Sequence, residues 1–263
     1  MAEQLKVSFI GSGNLAWHLA PALDNVGFQV TEVYSPNSKH ASALTERTYQ
    51  AEVKDSLDFS TSRSRIFIIA ASDDAIKEIA SHIIMPVDSF LLHTSGSQPL
   101  SVLESSDADN VGSFYPLQTF TKNKKVDFKI VPFFIESSNT ATEKIMLSIA
   151  RALGSSVKKI SSEDRKALHV AAVFASNFTN HMLMIAKEIL HQNSLSFDLV
   201  KPLITETISK SLTVGPEKSQ TGPAFRSDLE ILDSHMEFLK DNQKLAEIYQ
   251  MISQSIIDMY NPK

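Results

Sequence analysis

The chain has 263 residues, enough for one large domain or two domains of modest size. Hydrophobic residues make up 43% and charged residues 21%, which is close to the globular average and excludes disordered, collagen-like and coiled-coil classes. The formal charge of −5 argues against a nucleic-acid binder, and the absence of cysteine excludes disulfides, thiolate metal sites and thiol nucleophiles.

No apolar stretch approaches the roughly 18 residues that would span a bilayer, and the run 66–71 is among the longest. The N-terminus has one lysine before a short apolar segment and lacks the hydrophobic region and cleavage site of a signal peptide. The lack of cysteine also suits a reducing compartment. We therefore expect a cytoplasmic protein without a membrane partner.

Short apolar runs alternate with helical spacing in the first part of the chain. Residues 5–10 predict a strand, Leu15 to Leu23 have helical spacing, and 28–34 predict a second strand. A helix capped by Asn37 or Ser38, the strand 65–71, the helix 73–83 and the strands SFLLH and VGSFY continue the series. This alternation is typical of a doubly wound, mostly parallel α/β sheet, which FKIVPFFIE, TATEKIMLSIARALG and SVKKI extend to about residue 160.

After residue 160 the pattern is helical alone. A long helix without Gly or Pro is predicted from Ser162, its cap, to Gln192, with further helices at about 197–213, 228–240 and 243–260. We therefore predict an α/β domain over residues 1–160 and an all-helical domain over residues 161–263.

A pair of glycines follows the first strand directly in the pattern G-x-G-x-x-A, although the chain has only 8 glycines. Gly11 would permit the tight turn, Gly13 would let the backbone approach a pyrophosphate, and Ala16 would let the helix pack on the strand. Amides at the helix start would then bind the phosphates of a dinucleotide. The alternative is a glycine turn that binds nothing. The predicted phosphate contacts are Gly11, Ser12, Gly13, Asn14 and Leu15.

The end of the second strand distinguishes NAD from NADP, because a carboxylate there would bind the ribose 2′-hydroxyl and repel a 2′-phosphate. Glu32 lies earlier, inside the predicted strand, and hydroxyls, an amide and one cation follow Tyr34. NADP(H) is therefore favoured, with NAD(H) as the alternative, although the same residues also suit a capped, solvated helix start. The residues concerned are Ser35, Asn37, Ser38 and Lys39.

Four segments carry a family resemblance: HTSGS (93–97), YPLQTF (115–120), ALHVAAVFASNF (167–178) and TGPAFRSD (221–228). Over essentially its whole length the chain resembles the Rossmann-like proteins whose C-terminal half is the domain of unknown function 2520. These are similar in plan to pyrroline-5-carboxylate reductases and coenzyme F420-dependent NADP oxidoreductases. The resemblance implies an NADP-binding domain, a helical domain of the 6-phosphogluconate-dehydrogenase C-terminal type, and dimerisation through those helices. The family usually has His in place of Tyr115 and Arg in place of Pro36.

Loops beyond the carboxyl ends of strands bind ligands in doubly wound sheets. AASDD and HTSGS occupy such loops, so we expect the first to contact the cofactor ribose and the second, with His93 and Ser95, to border the nicotinamide. The alternative is that His93 is a satisfied strand-end residue and that 95–97 form a simple turn. The predicted cofactor contacts here are Ala71, Ser72, Asp73 and Thr94.

The helical half offers three more candidates. His169 and Asn177 follow each other, through Val173, at intervals of four residues on one side of the long helix. His169 suits proton transfer and Asn177 suits substrate orientation. Alternatively, the two side chains form a structural hydrogen-bonded pair where the two domains meet. Arg226 suits an anionic substrate group, or alternatively an ion pair with Asp228.

The sequence thus predicts an NADP(H)-dependent oxidoreductase that acts on a small polar carbonyl, imine or alcohol in the interdomain cleft. The alternative is a non-catalytic NADP(H)-binding sensor or regulatory protein. His169 is the expected proton donor, with Asn177 and His93 as further catalytic candidates, and we expect a homodimer through the C-terminal helices. No His–Glu spacing of a metal site occurs, so no metal is expected. The predicted substrate contacts are Ser95, Tyr115, Gln118 and Arg226.

Overall fold

The computed structural model describes residues 5–261 and contains one eight-stranded sheet. Its strands are β1 (Lys6–Ile10), β2 (Gln29–Tyr34), β3 (Glu52–Lys54), β4 (Ile66–Ile69), β5 (Phe90–His93), β6 (Asn110–Pro116), β7 (Phe133–Ser137) and β8 (Val157–Lys159). They lie in the order β3-β2-β1-β4-β5-β6-β7-β8, and every neighbouring pair is parallel except β6 and β7. This order confirms the predicted doubly wound, mostly parallel α/β sheet.

Helices cover both faces of the sheet. They are α1 (Asn14–Asn25), α2 (Ser38–Thr45), α3 (Asp73–His82) and α4 (Thr140–Leu153). One buried cluster contains Leu19 of α1, Leu44 of α2 and Met146 of α4, and the other contains Ile76 of α3. Burial on both faces explains why β4 is apolar throughout, as parallel central strands usually are.

Two parts of the sheet differ from the sequence prediction. The short edge strand β3 was not predicted, because its sequence EVK has no apolar run. The segment FKIVPFFIE does not form one strand: Phe128–Ile130 is a 3₁₀ turn, capped where the Asp127 carboxylate accepts from the Lys129 amide at 3.0 Å. The strand β7 begins only at Phe133, after Pro132, which has no amide hydrogen to donate.

The predicted long helix consists of α5 (Ser162–Ala172), a π-helical turn (Val173–Phe178) and α6 (Thr179–Gln192). Its cap is Ser161 rather than Ser162, since the Ser161 hydroxyl accepts from the Asp164 amide at 3.0 Å. The π-helical turn widens the backbone, so the regular spacing of four that should align His169 with Asn177 is interrupted. His169 is half-buried, whereas Asn177 is exposed.

A fully buried arginine fixes α5 to the sheet. Arg165 Nη1 donates to the Glu136 carboxylate of β7 at 2.6 Å, and its Nη2 donates to the Gln98 carbonyl at 2.7 Å. Ser162 Oγ donates to the same carboxylate at 2.6 Å and accepts from the Leu100 amide at 2.9 Å. These charge-assisted bonds tie α5 to β7 and to the loop that follows β5.

The chain divides into two compact units whose boundary falls between His181 and Met182, inside α6. The sheet itself ends with β8 at Lys159. The helical residues 161–181 nevertheless belong to the same compact unit as the sheet. The second unit continues with α7 (Lys201–Val214), α8 (Pro216–Ser219), α9 (Leu229–Phe238) and α10 (Gln243–Tyr260). None of the helices between residues 5 and 261 is both long and apolar enough to cross a membrane.

Candidate functional site

A cavity of about 800 Å³ opens at the carboxyl edge of the sheet, where the strand order reverses between β1 and β4. In doubly wound sheets this switch point is where ligands bind, and the volume suits a ligand larger than a simple metabolite. Its walls are the turn after β1, the end of β2, and the loops after β4 and β5. The predicted site residues that line it are Gly11, Ser12, Gly13, Asn14, Leu15, Ser35, Ala71, Ser72, Asp73, Thr94 and Ser95.

The turn after β1 requires glycine at its first position. Gly11 has φ +109°, and a Cβ there would lie 2.6 Å from the carbonyl carbon of Ala70 at the end of β4. The Gly11 amide donates to the Tyr34 carbonyl at 2.8 Å, which places the turn between the ends of β2 and β4. The turn is therefore fixed by both neighbouring strands.

Gly13 plays a different part. It is the N-cap of α1, has no side chain to cap the helix, and a Cβ there would meet only the Ala70 carbonyl, at 3.8 Å. The first amides of α1, at Asn14 and Leu15, have no intrahelical acceptor and belong to residues that line the cavity. A helix start of this kind suits the phosphates of a dinucleotide.

The end of β2 contributes Ser35 and Pro36 to the cavity wall. Asn37, Ser38 and Lys39 do not line it; the Asn37 side chain instead accepts from the Lys39 amide at 3.1 Å and caps α2. These three residues therefore agree with the alternative interpretation, in which they form a capped and solvated helix start and do not bind a 2′-phosphate.

Glu32 lies inside β2, as the sequence predicts. Its Oε2 accepts a hydrogen bond from Ser8 Oγ at 2.6 Å and another from Ser62 Oγ, so the carboxylate is engaged by neighbouring hydroxyls. It is not part of the cavity wall, so the wall offers no carboxylate from the end of β2.

Several wall residues were missed by sequence reasoning. On α3, Ala75, Ile79 and His82 follow one helix face at i, i+4 and i+7, a spacing that could have revealed them. His40 and Lys122 also line the cavity. Lys122 comes from the loop after β6, and nothing in the local sequence indicates that this loop reaches the site.

A tyrosine and a histidine form a pair beside the cavity. Tyr115 Oη and His169 Nδ1 are 3.0 Å apart, and the two rings meet edge to face. A Cβ on Gly96 would lie 2.7 Å from both His169 Nδ1 and Tyr115 Cζ, so only glycine lets the pair rest on the loop after β5. Gly96 directly follows Ser95, which lines the cavity. Burial raises the pKa of the Tyr115 hydroxyl, helped by the nearby Asp73 carboxylate, so Tyr115 stays protonated at neutral pH.

His93 is buried and does not line the cavity. It lies in register with Ser113 of β6, which is in register with Glu136 of β7, so the three form a polar row across one face of the sheet. Burial, followed by the positive charge of Arg165, lowers the pKa of His93 to about 3. The imidazole is therefore neutral at physiological pH, and its Nδ1 accepts from the Ser95 amide at 3.2 Å.

The remaining predicted residues lie apart from the cavity wall or in the second unit. Asn177 is exposed on the π-helical turn, and Gln118 is exposed with its Oε1 accepting from the Thr119 amide at 2.8 Å. Arg226 belongs to the second unit, where its Nη2 lies 3.9 Å from an oxygen of Asp228. Within residues 5–261, no group of three His, Asp or Glu side chains is arranged to hold a metal ion.

His93 should make the stability of the protein depend on pH. Its pKa is about 3 when folded and about 6.5 when unfolded, so the unfolded chain takes up the proton first as the pH falls. Between these values the free energy of unfolding should decrease with falling pH by up to about 1.4 kcal/mol per pH unit through this group. Urea unfolding of the wild type and of His93→Gln from pH 7 to pH 4 should show the steeper loss in the wild type. Parallel curves would contradict the assignment.

Comparisons with known proteins agree with this geometry. Residues 131–256 match the family model "Domain of unknown function (DUF2520)". The chain is 38% identical to a protein of Bacteroides fragilis described as a "putative NADP oxidoreductase", with a TM-score of 0.89 over 97% of this chain and 98% of that one. A comparison with curated proteins gave no match.

Two more distant structures share the fold. A pyrroline carboxylate reductase from Plasmodium falciparum with NADP bound is 16% identical, with a TM-score of 0.60 over 97% of this chain and 99% of that one. A reductive aminase from Aspergillus terreus in complex with NADPH and ethyl-5-oxohexanoate is 11% identical, with a TM-score of 0.71 over 98% and 100%. The extent and identity of the Bacteroides match confirm the resemblance found in the motifs: this chain belongs to the family of Rossmann-fold proteins that carry the DUF2520 domain.

Proposed function

We propose that this protein is an NADP(H)-dependent oxidoreductase that acts on a small polar carbonyl, imine or alcohol. The supporting observation is the cavity at the β1–β4 switch point, because one wall suits phosphates and the loop after β5, which forms another wall, packs through Gly96 against the tyrosine–histidine pair. The Bacteroides fragilis relative, similar over nearly the whole chain, is described as a "putative NADP oxidoreductase". Cofactor binding is thus proposed for the turn after β1 and the start of α1, and proton transfer for the tyrosine–histidine pair next to the loop after β5.

The residues at the switch point fit a dinucleotide. The glycine turn leaves room where a Cβ at Gly11 would collide with Ala70, and the uncapped start of α1 offers amides to the pyrophosphate. Ser35 and His40 would border the adenosine, Asp73 the ribose and Thr94 the nicotinamide. When bound, the cofactor supplies or accepts the hydride.

Tyr115 and His169 would handle the proton. In its charged form His169 donates from Nδ1 to Tyr115 Oη and uses Nε2 to give a proton to the substrate oxygen or nitrogen. After Nε2 has given up its proton, the neutral ring keeps its proton on Nδ1, which still donates to the Tyr115 hydroxyl oxygen, so the same hydrogen bond holds the ring in place throughout. The π-helical turn just after α5 is consistent with this role, since such turns occur frequently at functional sites.

His93 takes a positioning role in this proposal. A neutral, buried imidazole is a poor proton donor. Its hydrogen bond from the Ser95 amide instead fixes the loop after β5, in which Ser95 lines the cavity and Gly96 contacts His169. Ser95 and Asn177 are the proposed groups that orient the substrate, and Arg226 the proposed contact for an anionic group.

We also propose that the second unit pairs with a second copy of the chain. Of its described residues, only Ala224, Leu232 and Ala246 are buried hydrophobics, which is too small a core for a helical unit of this size. Leu203 and Leu212 of α7 are 66% and 83% exposed and, nine residues apart, lie on opposite sides of the helix. A helix that exposes apolar side chains all round needs a further partner surface.

Gly13→Asp should abolish dinucleotide binding and leave the fold intact, because it sets a carboxylate beside the phosphates in a place where a Cβ meets no close contact. Titration calorimetry with NADPH measures the affinity, and thermal unfolding checks the fold. Gly13→Asn is the matched control: it has nearly the same size without the charge, so it should lose less affinity. Unchanged binding by Gly13→Asp would show that the turn after β1 and the start of α1 do not bind the phosphates.

His169→Ala should reduce turnover by on the order of a hundredfold or more while the NADPH affinity stays nearly unchanged, as expected for a lost general acid. Substrates would be found by following NADPH absorbance with a panel of imines, 2-keto acids and aldehydes. His191→Ala, at an exposed position on α6, is the control. Normal turnover by His169→Ala would remove this residue from the mechanism, and tight NADPH binding without turnover on any class would favour the sensor.

Light scattering should give twice the chain mass of 29.1 kDa. The double variant Leu203→Glu with Leu212→Glu should shift the protein to the monomer, whereas Val87→Glu, at an equally exposed apolar position of the sheet unit, should not. A wild-type mass of 29.1 kDa over a wide concentration range would show that the second unit has no such partner.

A further inference from the structure

The cavity wall lacks the cation that the end of β2 was expected to supply. Lys39 does not line the cavity, and Pro36 stands where the family resemblance implies an arginine. A 2′-phosphate carries up to two negative charges and binds strongly only where a positive group or several donors meet it. If NADP(H) binds here, the cation must come from another element.

Lys122 meets this requirement by its position. Of the described residues that line the cavity, it is the only one with a permanent positive charge, whereas Asp73 and Glu78 carry negative charges. The pyrophosphate is already served by the start of α1, so it does not need this ammonium group. The 2′-phosphate is the group that remains without a counter-charge.

The structure holds Lys122 in place through the two residues before it and through its own contact with α1. Before it, Phe120 packs against the main hydrophobic cluster, and His18 Nε2 donates to the Thr121 carbonyl at 2.9 Å, which ties the loop to α1. The ammonium of Lys122 itself lies 4.6 Å from the centroid of the Trp17 ring on α1. The loop therefore presents this lysine beside the first turns of the helix that begins at the cavity.

The same aromatic ring carries a second cation. Arg47 Cζ lies 4.3 Å from the Trp17 centroid, so an arginine and a lysine share one indole. Neither takes part in the ion pairs found within residues 5–261. Their positive charges are thus left to attract an anion, and of the two only Lys122 reaches the cavity wall.

We infer that Lys122 binds the 2′-phosphate and is the residue that makes this site prefer NADP(H) to NAD(H). The inference rests on the proposed cofactor function and adds the element that determines its specificity. The loop after β6 then replaces the second-strand arginine that Pro36 removes.

The test compares dissociation constants for NADPH and NADH, measured by titration calorimetry on the wild type, Lys122→Gln, Lys122→Arg and Lys124→Gln. Loss of one charge-assisted contact should weaken NADPH binding by about tenfold to a hundredfold in Lys122→Gln and leave NADH within about twofold. Lys122→Arg should keep the preference for NADPH. Lys124→Gln, on the same loop but off the cavity wall, should behave as the wild type.

The outcomes separate the inference from the function on which it rests. Equal losses for NADPH and NADH in Lys122→Gln would mean that the lysine serves the pyrophosphate, and unchanged affinities would mean that it serves neither; both overturn the inference while the cofactor function stands. A wild-type protein that binds neither dinucleotide would overturn both. Matching thermal unfolding of the variants excludes loss of fold as the cause.

Discussion

The site depends on one backbone contact, the approach of Gly11 to the carbonyl of Ala70. Because β1 and β4 are neighbours that end side by side, the chain leaving β1 must turn directly over the end of β4. A side chain at Gly11 would occupy the space of the Ala70 carbonyl group, so only glycine allows α1 to start after just three intervening residues. The start of that helix, and with it the wall that we propose binds the phosphates, is placed by this constraint.

The loop after β5, on another side of the cavity, depends on a second arrangement, in which a fully buried arginine is paired with a carboxylate. Arg165 joins α5 to Glu136 of β7 and to Gln98 of the loop after β5. Replacing Glu136 would leave the fully buried charge of Arg165 uncompensated, which costs several times more than an exposed ion pair contributes. The same loop carries Ser95 towards the cavity and Gly96 under His169, so the position of α5 and the shape of the cavity are linked.

Periodicity and glycine spacing were sufficient to predict the doubly wound sheet and the glycine turn after β1, because both depend on local sequence, although the short strand β3 was missed. The proline before β7 and the 3₁₀ turn in front of it broke a segment that apolar content alone predicted as one strand. Lys122 and the fully buried Arg165 could not be found in this way, since their positions follow from loops and helices that meet only in the folded chain. His93 shows the same limit: its sequence position suggested catalysis, while its burial keeps it neutral.

We propose that a dinucleotide occupies the cavity between the glycine turn and the loop after β5. Amide hydrogen exchange with and without NADPH tests it residue by residue, independently of any substrate. We predict slower exchange at the amides of residues 11–15, 71–73 and 94–95, which line the cavity, with little change in the helices after α6. Unchanged exchange in these three segments at saturating NADPH, or protection confined to other parts of the chain, would contradict the account.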